Sequence, residues 1–135
     1  MKKILLLLTV SLLIISCERK TETLGPNLSD LYGPFTVFEE FGISNNTVDF
    51  STGEALNFTA RFSKTVDWKV RIVGQTSGAT KILSGKTKVL DETTARWNGS
   101  TTELPMFKTE TCNAYLIVED EGYGDTISNI TINGS

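Results

Sequence analysis

Residues 56 to 72 carry the pattern that most restricts what this chain can become. Leu56, Phe58, Ala60 and Phe62 alternate with Asn57, Thr59, Arg61 and Ser63, and Val66, Trp68, Val70 and Ile72 alternate with Asp67, Lys69 and Arg71. Side chains on an extended backbone point to opposite faces in turn, so a period of two places the large apolar groups on one face and the polar ones on the other. A helix would scatter the same residues around its circumference. The stretch predicts two half-buried strands, and Ser63-Lys64-Thr65 between them predicts a hairpin connection.

The rest of the chain follows the same rule in shorter pieces. Residues 35–38 form a first β-branched and aromatic run, and Val48-Asp49-Phe50 lies between Asn45-Asn46 and Ser51-Thr52-Gly53. After the turn-forming Gly74-Gln75-Thr76-Ser77-Gly78, residues 79–83 and 86–90 predict two strands around Ser84-Gly85. Residues 93–97 predict another, closed by Asn98-Gly99, a dipeptide that favours positive backbone angles and tight turns. Residues 101–106 read as a loop. Residues 111–119 are apolar on both sides, which predicts a central strand or one that covers a partner site. An acidic turn over 119–125 leads to a last strand through Ile127, Ile130 and Ile132. No helical periodicity occurs after residue 17. Seven to nine short strands separated by turns predict an all-β fold, a single antiparallel sandwich of the immunoglobulin or fibronectin III kind over residues 33–135.

Four segments carry a resemblance of their own. Val70-Arg71-Ile72-Val73, Ser77-Gly78-Ala79-Thr80-Lys81-Ile82-Leu83, Ala95-Arg96-Trp97-Asn98-Gly99-Ser100 and residues 107–116 together resemble the immunoglobulin-like repeat of flagellar hook-capping proteins and other bacterial surface proteins. Thr111 to Tyr115 stands where that family begins its next strand with Gly-x-Tyr. The resemblance implies a fold and a surface location, and it transfers no catalytic residue.

The N-terminus reads differently. Lys2 and Lys3 precede an apolar run over residues 4–15, interrupted only by Thr9 and Ser11, which is the layout of an export signal over residues 1–16. The run is shorter than the roughly 20 residues needed to cross a bilayer. Ile14-Ile15-Ser16-Cys17 resembles the lipobox of bacterial lipoproteins. That resemblance implies cleavage before Cys17, a diacylglyceryl group on its sulfur and an acylated amine. The implied location is the Gram-negative cell envelope, in the outer membrane or at the cell surface. Residues 18–31 are rich in polar and turn-forming types that bury little apolar surface, so residues 17–32 predict a lipidated, flexible tether. A coil of that length reaches roughly 20 Å.

Charge and residue type exclude several activities. Two of the 13 lysines and arginines fall within residues 1–16 and none of the 16 acidic residues does, so the mature 119-residue part carries a formal charge of −5. Without a basic cluster it is not expected to bind nucleic acid. The chain has no histidine, which removes the commonest zinc ligand and the usual base for a serine or cysteine nucleophile. With Cys17 assigned to lipid, Cys112 has no partner for an internal disulfide and is expected to be buried. Gly122-Tyr123-Gly124 reads as a turn. Glu119, Asp120, Glu121 and Asp125 lack the spacing of a calcium loop and read as a solvated acidic hairpin. Asp125-Thr126-Ile127 resembles a bacterial O-glycosylation sequon.

No catalytic residue, metal or cofactor is expected. The candidate ligand-binding residues are Trp97, Tyr115 and Tyr123, as aromatic platforms for a sugar ring, with Asn98 and Asn113 as hydrogen-bonding partners. Phe38, Phe41 and Ile117 could contribute to an apolar patch for a protein partner. The expected function is a lipid-anchored, non-catalytic binding or assembly module that contacts another envelope protein. Glycan capture by a surface lipoprotein is the alternative.

Overall fold

Both halves of the alternating stretch belong to one strand. In the computed structural model, which describes residues 34–135, Leu56–Gly74 runs as a 19-residue strand whose even-numbered apolar residues are buried from end to end. In chain order the strands are β1 (Val37–Ile43), β2 (Thr47–Asp49), β3 (Leu56–Gly74), β4 (Thr80–Leu90), β5 (Arg96–Trp97), β6 (Thr111–Val118) and β7 (Tyr123–Gly134). Single 3-10 turns occupy Phe50–Thr52 and Glu119–Glu121. The expected signal over 1–16, the lipidated Cys17 and the tether over 17–32 lie outside the described residues.

Ser63-Lys64-Thr65 does not form the expected hairpin. Phe62 and Val66 are four residues apart, so the period of two continues in phase, and simply extending the strand keeps both apolar sets on one face. The polarity of the three residues is absorbed as a bulge. Arg61 pairs with Val89 and Val66 with Thr87, so residues 62–65 of β3 face only Lys88 of β4. Ser84-Gly85 is likewise no turn, because β4 continues through it. Gly85 sits opposite Trp68, and a Cβ added there would come within 2.7 Å of the indole. Its absence makes room for the ring.

The expected strand over 93–97 shrinks to Arg96–Trp97. Asp91 Oδ1 accepts hydrogen bonds from the amides of Thr93 (2.9 Å) and Thr94 (3.1 Å), which holds the chain in a turn. At Asn98-Gly99 the turn forms as expected. Gly99 has φ +91°, and a Cβ on it would meet the Phe50 ring at 2.6 Å.

All seven strands join one mixed sheet in the order β1-β3-β6-β7-β2, with β4 and β5 also paired to β3. The all-β class therefore holds, while two details of the expected sandwich do not. β2 pairs with β7 in parallel, Thr47 with Thr131 and Val48 with Ile132, so the sheet is not purely antiparallel. The strands are also not all short, because β3 has both edges occupied along most of its length. One edge takes β5 and then β4; the other takes β1 and then β6.

The sheet curls so that Phe35, just before β1, reaches Tyr123 of β7 at 5.7 Å between ring centroids. Inside the curl lie the even residues of β3, with Cys112, Ala114, Leu116 and Val118 of β6 and Ile130 and Ile132 of β7. A second aromatic group closes one end, where Trp97 stands edge-on to Phe50 at 4.7 Å and to Phe107 at 4.8 Å. Such pairs contribute about 0.5–1.5 kcal/mol beyond the area they bury.

The contact between Trp68 and Gly85 makes a direct test of this packing. Gly85→Ala displaces the indole and disturbs its 2.9 Å Nε1–H hydrogen bond to Thr87 Oγ1, so equilibrium denaturation should show a loss of about 1–3 kcal/mol.

Candidate functional site: the outer face of the sheet

The odd-numbered residues of β3 point away from the core, and the register decides what stands beside them. Arg71 pairs with Ile82 on β4 and with Tyr115 on β6, and Tyr115 in turn pairs with Thr126 on β7. The next row runs Ser84, Lys69, Ile117, Gly124 across the same four strands. Two rows of side chains thus cross the outer face of β4-β3-β6-β7.

The first row is organised by a cation over a ring. The Arg71 guanidinium carbon lies 5.2 Å from the Tyr115 ring centroid, an arrangement that contributes about 0.5–1 kcal/mol at an exposed site. It also holds both side chains in place. Ile82 beside them is 42% exposed, a high value for a large aliphatic group on a sheet.

Two depressions flank Ile117. One, of about 460 Å³, is lined by Arg71, Tyr115, Ile117, Gly124, Asp125 and Thr126. The other, of about 570 Å³, is lined by Asp67, Lys69, Ser84, Lys86, Ile117, Glu119 and Asp120 among others. Both signs of charge are interspersed here, which suits a polar protein surface better than a polyanion.

The five sequence-derived candidates do not converge. Trp97 is fully buried between Phe50 and Phe107 and presents no ring face to a ligand. Being large and apolar, it was drawn into the core. Tyr123 packs at the core margin against Phe35 and Phe62. Asn98 caps its own turn, accepting from the Ser100 amide at 3.1 Å. Only Asn113 and Tyr115 share the outer face, two residues apart on β6, and Asn113 Oδ1 accepts from the Asn129 amide at 3.3 Å across a bulge in β7. The sugar platform of Trp97, Tyr115 and Tyr123 is therefore not assembled.

The expected apolar patch also separates. Phe41 is buried and stacked on Phe58, Phe38 is exposed beneath Arg61, and Ile117 lies on the outer face. Arg71, Lys69 and Ile82 are the residues that sequence reasoning missed. Parity puts Arg71 and Lys69 on the polar side of a strand, but only the register shows that they neighbour Tyr115 and Ile117, with Ile82 on the far side of Arg71.

Two buried ionisable groups lie away from this face. Glu110 Oε1 accepts from the amides of Thr76 (2.8 Å) and Ser77 (2.9 Å), and Oε2 accepts from that of Lys108 (2.7 Å). Burial alone would raise its pKa, but the hydrogen bonds from Ser77, Lys108 and Thr76 outweigh it and hold the carboxyl below its ordinary value. Its Oε1 fixes the Gly74–Gly78 turn, and its Oε2 holds the backbone at Lys108. Cys112 is buried as expected, and burial, with the negative charge of Glu110, pushes its thiol up to about 12.

The acidic residues after β6 are dispersed: Glu121 pairs with Lys64 at 2.7 Å and Asp125 accepts from the Thr126 amide. Among the described residues no group of three or more His, Cys, Asp or Glu side chains is placed to hold a metal ion.

Because the pKa of Glu110 is lower folded than unfolded, its contribution is present above the ordinary glutamate range and disappears as pH falls through the folded value. Glu110→Gln should cost about 1–3 kcal/mol at pH 7, and its difference from the parent should shrink at pH 3, both measured by chemical denaturation. For Cys112, iodoacetamide at pH 8 should leave its thiol unmodified in the native chain and alkylate it promptly in denaturant, read on the peptide that carries it; rapid native labelling of that peptide would contradict the buried, protonated thiol. No protein-family model matches this chain, and no curated protein or solved structure gives a significant match to it.

Proposed function

We propose that this chain is a lipid-anchored binding module of the bacterial cell envelope, non-catalytic, that docks another envelope protein on the outer face of its sheet. The observation that carries the reading is the row Ile82, Arg71, Tyr115, with Ile117 beside it. Arginine and tyrosine are the residue types that dominate binding energy at protein interfaces, and here they are already stacked in one geometry. Little side-chain entropy remains to be lost on docking. The mixed charges of Asp67, Lys69, Lys86, Glu119 and Asp120 supply a polar rim.

The lipobox-like Ile14-Ile15-Ser16-Cys17 supplies the anchor in this reading. Cys17 carries the lipid, residues 18–31 act as the spacer, and the membrane concerned is the outer membrane of a Gram-negative cell. Two or more acyl chains hold a protein stably on a bilayer, whereas one does not.

Each half of the reading has its own measurement. Labelled palmitate should enter the parent and not Cys17→Ala, and the variant should leave the membrane fraction; persistent labelling would refute the anchor. A photo-crosslinking residue placed at 115 or 82 in living cells should give one defined adduct, absent when the probe is placed at the exposed Glu92. Arg71→Glu should reduce that adduct at least tenfold, and equal crosslinking from all three positions would refute the docking face.

A further inference from the structure

A third depression lies apart from the outer face. It has about 230 Å³ and is lined by Lys81 and Leu83 of β4 and by Arg96, Asn98 and Ser100 of β5 and the turn after it. An i, i+2 pair on β4 thus faces three residues at the same spacing across the cleft. Two of the five residues are cationic and none is acidic, in a chain whose net charge is negative. The ion pair found is Lys64 with Glu121, and among the described residues neither Lys81 nor Arg96 has a carboxylate within 4.0 Å. Unneutralised cations gathered in one concavity raise the local concentration of anions.

The walls of the cleft are fixed. Trp97, fully buried between Arg96 and Asn98, donates from Nε1 to the Ser100 carbonyl at 2.9 Å. The Ser100 amide donates to Asn98 Oδ1, and Gly99 packs on Phe50. On the opposite side the Ile82 amide donates to Thr102 Oγ1 at 2.8 Å and the Thr102 amide donates to the Thr80 carbonyl at 2.9 Å, so the segment after Ser100 is tied to β4. With Asn98 Oδ1 occupied, its Nδ2 donors and the Ser100 hydroxyl are left for a ligand, as are the Arg96 fork and the Lys81 ammonium. Leu83 adds an apolar wall.

We infer that this cleft binds a small sugar acid of the uronate class. Arg96 and Lys81 pair with the carboxylate, Asn98 and Ser100 meet ring hydroxyls, and Leu83 packs against the ring. A planar guanidinium matches a carboxylate with two parallel hydrogen bonds. The volume lies below the roughly 300–1,000 Å³ of drug-sized pockets, which limits the occupant to about one ring. The inference does not depend on the docking face, which shares none of these five residues.

The test is a titration of the full-length 15N-labelled chain with glucuronate, with glucose as the neutral counterpart and inorganic phosphate as the bare anion. Glucuronate should shift the amides of residues 81–83 and 96–100 and saturate on the order of a millimolar. Glucose should shift none of them. Arg96→Gln and Lys81→Gln should each weaken binding about tenfold, Arg96→Lys should recover part of the loss, and Arg71→Glu should change nothing. Four results would overturn the inference: no saturable shift, an equal response to glucose, an equal affinity for phosphate, or an unchanged affinity in Arg96→Gln with parent-like tryptophan fluorescence.

Discussion

Nineteen consecutive residues of extended backbone offer hydrogen-bonding groups along two edges, and β3 can be buried only because four other strands occupy them. A buried amide or carbonyl left without a partner costs about 1–3 kcal/mol, so the length of β3 dictates the rest of the sheet. β5 and β4 follow one another on one edge, and β1 and β6 on the other. The bulge over residues 62–65 lets a strand this long bend around a core while keeping Leu56 to Ile72 on its inner side. Edges exposed elsewhere are blunted. β1 carries two register shifts, and the outer part of β4 presents the exposed Lys86 and Lys88, which discourage pairing with a further strand.

The class of fold was legible in the alternation of residues 56–72, since the face assignment of every buried residue there follows from parity alone. What could not be read was continuity. Ser63-Lys64-Thr65 and Ser84-Gly85 have the composition of turns, yet each lies within a strand, the first because the apolar phase carries on through it and the second because Trp68 needs the space beside Gly85. Both segments lie in the same pair of strands, and local composition carries no information about the partner across the ladder. The parallel pairing of β2 with β7 was invisible for a related reason. Three residues hold no signal of direction, and Val48 is placed by the side chains it meets in the core.

The candidate site shows the same limit more sharply. Tyr115 lies on the outer face of β6, but its neighbour Arg71 lies 44 positions away in the chain, with Ile82 on the far side of Arg71, and only the register joins the three. Trp97 caps the core instead of facing a ligand; an aromatic at the end of a strand can do either, and sequence does not distinguish the two. Its burial is fixed by Phe50 and Phe107, which come from loops on either side of it in the chain. Glu110 had no local signal at all. Its role exists only where the Gly74–Gly78 turn presents two amides to one carboxylate oxygen.

β4 brings these features together, since its consecutive residues serve different surfaces. Ile82 stands on the outer face beside Arg71, while Lys81 and Leu83 turn toward the cleft opposite Arg96. The alternation that buries one face of β3 therefore places two unlike surfaces back to back on its neighbour. The outer face mixes both charges with apolar groups over a broad area, which suits many weak contacts of one partner. The cleft is small, holds only positive charge, and is braced by a tryptophan that has no contact with solvent. Substitutions on the outer face leave the β3 core alone, because the core is made by residues of the other parity, whereas Leu83 in the cleft stands opposite Val70 and packs against the core. A fold of this kind can change what it binds while the pairing around β3, which holds it together, stays the same.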